Sequence, residues 1–160
     1  APTFSQPMQM VQRLAFLLFA ASFVHLHAQN NNDSKGDEQK FAAILVWGTD
    51  GEKPEGKKLK DVDPALKEKF KKIFKWENYF EVSRTNATVR PGQSKHLKLS
   101  KKCEVKLHQT EKEGLAVELI GEGKTVYSGK SSMPLKDILI MAGDDINATA
   151  WFVVLKPEEK

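Results

Sequence analysis

The sequence predicts a mostly β, α+β domain: a small antiparallel β-sandwich or open barrel carrying one amphipathic helix. From Tyr79 onward apolar residues alternate with polar ones, the period expected of strands buried on one face. Turn signals recur at roughly eight- to twelve-residue spacing after Lys75, as in small antiparallel folds. One stripe of helical period stands apart, between Asp63 and Lys75. At 160 residues and 18.0 kDa the chain suits one domain rather than two. A 40% apolar fraction with Phe 9 and Trp 3 can build a core, which excludes global disorder. Lys+Arg 25 against Asp+Glu 21 leaves +4, too little for a polybasic nucleic-acid binder, so no specific nucleic acid is expected as partner.

Residues 1–28 read as a signal-peptide leader. Met8 or Met10 is the expected start, with Ala1–Pro7 preceding it; Arg13 supplies charge, and Leu14–Val24 is an apolar run too short to span a bilayer comfortably. Cleavage is expected after Ala28, with Ser22 competing, so no transmembrane span remains once the leader is gone. Residues 29–40 are polar and read as a flexible tether, 41–156 as a single β-rich domain, and 157–160 as a tail. The expected location is exported, periplasmic or secreted. A lone cysteine, Cys103, excludes an intramolecular disulfide and does not sit where a lipid anchor would. The Asn-x-Ser/Thr triplets at Asn32, Asn86 and Asn147 read as chance occurrences.

Within the domain, Phe41–Trp47 is a continuous apolar run closed by Gly48-Thr-Asp-Gly51, a buried strand leaving into a turn. A charged loop follows to Asp61. Asp63-Pro64 opens the helix: the carboxylate caps backbone N–H groups, and proline at the first position loses no needed donor. Leu66, Phe70, Ile73 and Phe74 form its expected buried stripe. In the alternating region Phe80 and Val82 are expected inward, then Leu97, Leu99, Cys103, Val105 and Leu107, then Leu115, Val117 and Leu119, with a bulge or turn at Ser100–Lys102. Lys124–Gly129 is another short strand. Ile138–Met141 and Ala150–Leu155 are denser apolar strands separated by a loop over Gly143–Asn147. This makes about eight strands, with the helix expected to plug one end or cover one edge.

The landmarks Leu45-Val-Trp-Gly-Thr-Asp50, Trp76-Glu-Asn-Tyr-Phe-Glu-Val82, Leu97-x-Leu-Ser-x-Lys-Cys-Glu104, Leu119-Ile-Gly-Glu-Gly-Lys124 and Thr149-Ala-Trp-Phe-Val-Val-Leu155 resemble a group of small exported bacterial proteins without an assigned activity. The resemblance covers most of Phe41–Lys156. It implies a periplasmic or secreted location and carries over no catalytic residue.

The candidate chemistry is sparse. His96 and His108 flank Cys103, and a thiolate beside an imidazole is the material of a hydrolase or a metal site. Parity opposes it, since Cys103 shares a face with Val105 and Leu107 whereas both histidines point with the lysines. Gly123-Lys-Thr-Val-Tyr-Ser-Gly129-Lys-Ser131 has the wrong spacing for a phosphate loop and reads as a lysine-rich hairpin. Asp144, Asp145 and Asn147 bring side-chain oxygens together but lack the glycine and distal glutamate of a calcium loop. Trp47, Trp76 and Trp151 read as core. Lys67, Lys69, Lys71, Lys72 and Lys75 make the helix's outer face a candidate surface for an anionic partner. Thr49, Asp50, Asp144, Asp145 and Asn147 mark two candidate recognition loops. The reading these residues favour is a noncatalytic exported β-rich binding or scaffold module of the cell envelope, without cofactor or metal, whose partner is another envelope protein or an anionic polymer. The alternatives are an envelope-surface binder of anionic polymer or lipid acting through the basic helix, and a hydrolase using Cys103 with His96 or His108.

Overall fold

A computed structural model describes residues 38–111, 114–142 and 149–158. The expected leader, the tether as far as residue 37, and the 143–148 loop lie outside the described residues. The elements are β1 (Gln39–Thr49), β2 (Lys60–Asp61), α1 (Pro64–Ile73), β3 (Asn78–Val89), β4 (Ser94–Lys98), β5 (Cys103–Gln109), β6 (Gly114–Gly121), β7 (Lys124–Ser132), β8 (Leu139–Ala142) and β9 (Thr149–Pro157). They form two antiparallel sheets, a five-stranded one in the order β2-β3-β1-β9-β8 and a four-stranded one in the order β4-β5-β6-β7. The arrangement is sandwich-like and does not close into a barrel. The strand beyond the expected eight is β2, two residues long and exposed, too short and polar to leave a periodic signal.

Burial explains which strands read as continuous and which as alternating. Phe41, Ala43 and Leu45 of β1 and Val153 and Leu155 of β9 point between the sheets, where they meet Leu97, Cys103, Val105, Leu107, Leu115, Val117 and Leu119. The opposite face of the same two strands, Ala42, Ile44, Val46, Phe152 and Val154, is covered by Leu66 and Phe70 of α1 with Val62, Trp76 and Tyr79. Strands covered on both faces must be apolar throughout. β5 and β6 keep one face toward solvent, so their buried positions alternate with more exposed ones. The helix therefore covers the outer face of the five-stranded sheet, rather than an end or an edge as expected. The apolar positions at Ile44 and Val46 already demand such a cover.

Local chemistry holds these elements as the sequence leads one to expect. Asp63 Oδ1 accepts from the N–H groups of Ala65 and Leu66 at 2.9 and 3.4 Å, with Pro64 at the first helical position. The β4–β5 turn closes where parity breaks: the N–H groups of Leu99 and Ser100 both donate to the Cys103 carbonyl, at 2.9 and 3.1 Å. Between β6 and β7, Glu122 and Gly123 both take positive φ, 50° and 78°, the two-residue turn whose twist matches a hairpin. Trp151 packs across Gly121, where an added Cβ would lie 2.9 Å from the indole.

Three expectations are corrected. Ile73 is 61% exposed. The chain leaves helical conformation at Phe74 (φ −115°, ψ 159°), and the Phe74 ring, 4.7 Å from that of Phe152, covers the sheet in its place. Val82 is 39% exposed because β3 bulges there: Leu45 pairs with Ser83 but Val46 with Glu81, so Val82 has no partner on β1. Gln39 and Lys40, tether residues by composition, belong to β1. The Gln39 amide donates to the Leu135 carbonyl at 2.8 Å and accepts from the Leu135 N–H at 2.7 Å, while the Lys40 carbonyl accepts from the Glu158 N–H at 2.9 Å.

Candidate functional site

β5 separates the thiol from the imidazoles. Cys103 is 3% exposed between the sheets, and burial, with a smaller contribution from Glu104, pushes its pKa up to about 11. A thiol so placed is protonated at neutral pH and is a poor nucleophile. His96 and His108 lie on the solvent face of the four-stranded sheet. His96 Nε2 is 2.6 Å from Glu104 Oε2, and His108 Nδ1 is 2.9 Å from Ser94 Oγ. The register sets His96 opposite Lys106 and His108 opposite Ser94, so the two imidazoles are diagonal neighbours on a face that Cys103 does not share. Among the described residues no three His, Cys, Asp or Glu side chains are grouped to hold a metal ion.

That solvent face carries a shallow depression of about 480 Å³ around Ala116, lined by Ser94, His96, Lys106, His108, Glu118 and Ser128. Two of the charges lining it, Lys106 and Glu118, are paired. Lys106 Nζ is 3.5 Å from Glu118, and the Thr125 hydroxyl donates to the same carboxylate, which lowers its pKa first through that bond and then through Lys106.

The lysines of α1 are less uniform than their sequence suggests. Lys69 pairs with Asp137 near the start of β8, holding that carboxyl below its ordinary pKa, and Lys71 reaches Glu68 at 3.4 Å within the helix. Lys75 stacks over Trp76 at 5.6 Å. Lys67 and Lys72 make no ion pair among the described residues. With Ile73 beside them, the exposed end of α1 is both basic and apolar.

Of the candidate loop residues, Thr49 is 5% exposed and its hydroxyl accepts from the Gly51 N–H at 3.0 Å, so it holds the turn from inside. Asp50 is exposed, and its Oδ1 accepts from the Glu77 N–H at 3.2 Å, tying the turn to the start of β3. Asp144, Asp145 and Asn147 lie outside the described residues. The tryptophans are packed: Trp76 is buried, Trp47 lies 6.0 Å from Phe80, and Trp151 lies against the inter-sheet core.

A second depression, of about 310 Å³, was not legible in the sequence. It lies on the outer face of the five-stranded sheet and is lined by Ala42, Arg84, Asn86, Lys156, Pro157 and Glu158. Ala42 pairs with Asn86 on one side and Lys156 on the other, so a small residue is flanked by two long polar ones across three strands. Arg84 stands one step along, opposite Ile44. Its Nε donates to Glu81 Oε1 and Oε2 at 3.1 and 3.3 Å, and its Nη2 to Oε2 at 2.7 Å. In a regular strand residues 81 and 84 would face opposite sides. The bulge at Val82 restores them to one face, which parity counting cannot foresee.

The fold and these surfaces describe a two-sheet, β-rich α+β domain with a helix on one outer face and open depressions on the outer faces of both sheets. No family model, curated protein or solved structure matches the chain.

Proposed function

We propose that the protein is a noncatalytic binding or scaffold module exported to the cell envelope, where it engages another envelope component. The observation that carries this reading is the position of Cys103. The thiol expected of the rival hydrolase is sealed between the sheets with its pKa raised, while both imidazoles occupy the opposite face of β5 in open solvent. Among the described residues, each sheet presents an open depression edged by charged and polar side chains, which supports a recognition role. The leader-like sequence of residues 1–28 supports export.

The test is retention of the purified chain on separated membrane, wall-polymer and protein fractions of an envelope, run beside ester and peptide hydrolysis assays with wild type and Cys103→Ser. Saturable retention with no Cys103-dependent turnover is expected. Turnover that disappears in Cys103→Ser would overturn the reading.

A second reading, an anionic-surface binder acting through α1, is favoured by one observation. Ile73 leaves the core and stands exposed beside Lys72, so the helix offers an apolar contact as well as charge.

A further inference from the structure

We infer that the depression over Ala42 is a binding site for a carboxylate group, with Arg84 as its recognition residue. The inference rests on the binding-module reading and supplies a ligand chemistry for it. Arg84 and Arg90 are the only arginines among the described residues, and Arg90 pairs with Glu38. Arg84 is the one that lines a depression. Its guanidinium has five N–H donors; Glu81 takes the Nε donor and one on Nη2, leaving the Nη1 pair and the second Nη2 hydrogen as an outer fork. Glu81 is 13% exposed and Arg84 40%, so a sheltered carboxylate orients a guanidinium whose far edge is open. A planar fork fixed in advance is the geometry that suits a carboxylate, and its orientation is already set before a ligand arrives.

The neighbours refine the ligand. Lys156 adds a second positive charge and Asn86 a neutral amide, on either side of Ala42. Glu158 stands at the rim, held by its N–H to the Lys40 carbonyl at 2.9 Å. Its carboxylate disfavours a second anionic group and welcomes a donor. The fitting ligand therefore has one carboxylate with a hydroxyl or N–H beside it, as in a sugar acid or an N-acylated amino acid. A volume of about 310 Å³ admits a group of that size.

The experiment is titration of the ¹⁵N-labelled full chain with glucuronate and, separately, N-acetylalanine, following the Ala42 and Asn86 backbone amides and the Arg84 Nε signal. Saturable shifts centred on these residues are expected with at least one of the two; the tighter arm identifies whether hydroxyl or amide is the preferred flank. Arg84→Gln is expected to weaken binding at least about tenfold and Arg84→Lys not to restore it, since an ammonium lacks the fork. Asn86→Asp, which leaves the Glu81 pair intact and places a like charge beside the ligand, is expected to abolish binding and covers the case that Arg84 variants fail to fold. Lys71→Gln with Lys72→Gln is expected to change nothing. Absence of saturable shifts with both probes, affinity undiminished in Asn86→Asp, or shifts centred on α1 would overturn the site. A chain still retained by envelope fractions but silent to both carboxylates would overturn this site while leaving the module reading in place.

Discussion

At the scale of single residues, burial between the sheets governs the chemistry of Cys103. Its odd-numbered alignment with Leu99, Val105 and Leu107 placed it inward from sequence, and in the structure it is 3% exposed. Thiol reagents are expected to label the native chain slowly and the denatured chain at once, measured by the rate of colour release with an aromatic disulfide. Burial also gives a pH dependence. The thiol's pKa rises from an ordinary value of 9.0 to about 11 on folding, so as pH increases the unfolded chain loses this proton first. Stability is then complete below about pH 9 and falls progressively between about 9 and 11, by roughly 2–3 kcal/mol for a shift of this size. Tyr79, also raised by burial, adds to the loss in the same direction at higher pH. Urea unfolding at several pH values isolates the thiol as the difference between wild type and Cys103→Ala. Parallel profiles for the two would show that the thiol does not carry the effect.

At the scale of elements, α1 was legible in its start and in Leu66 and Phe70 of its stripe, but not in its end. Asp63-Pro64 is a local signal, and Asp63→Ala is expected to cost about 1 kcal/mol by removing the acceptor for Ala65 and Leu66, as read from the denaturant midpoint. Leu66 and Phe70 face the sheet as their spacing requires. Phe70 is wholly buried, 5.1 Å from Phe152 and 5.2 Å from Tyr79 by ring centroids, so Phe70→Ala is expected to cost about 3–5 kcal/mol. Ile73→Ala, by contrast, is expected to shift stability by no more than about 0.5 kcal/mol, because its side chain is exposed. Helical spacing alone ranks Ile73 with the core. Where the chain turns away after it, and which ring then takes the space, depends on Phe152, far off in sequence. The same holds in β3, where the Val82 bulge turns Glu81 and Arg84 to one face.

At the scale of the whole molecule, α1 on the outer face of a sheet turns its lysines outward among the described residues, and any contact made through Lys67, Lys71 and Lys72 is expected to be weak and erased by salt. Ammonium groups attract anions without fixing their geometry, and exposed charges are screened beyond about 8 Å at physiological ionic strength. Anionic lipid vesicles and soluble polyanions, titrated at low and physiological salt with wild type and with Lys71→Glu plus Lys72→Glu, check this. Tight binding that survives high salt and disappears in the double variant would make α1 the principal site. Ile73→Ser separates the lipid arm from the polymer arm, since only a bilayer offers the isoleucine an apolar phase.

Legible in the chain alone were the β-rich class, the helix start, the turn at Ser100–Lys102 and the inward face of β5 and β6. These follow from backbone preference and from the two-residue period of strands, both local in the chain. Only in the folded chain is it fixed where the helix sits, why β1 and β9 are apolar on both faces, that Ile73 and Val82 are outside, and that Arg84, Asn86 and Lys156 surround Ala42. Those outcomes depend on strand order and on one bulge. They join residues more than sixty positions apart, such as Asn86 and Lys156 on either side of Ala42, through a sheet register that no local pattern encodes.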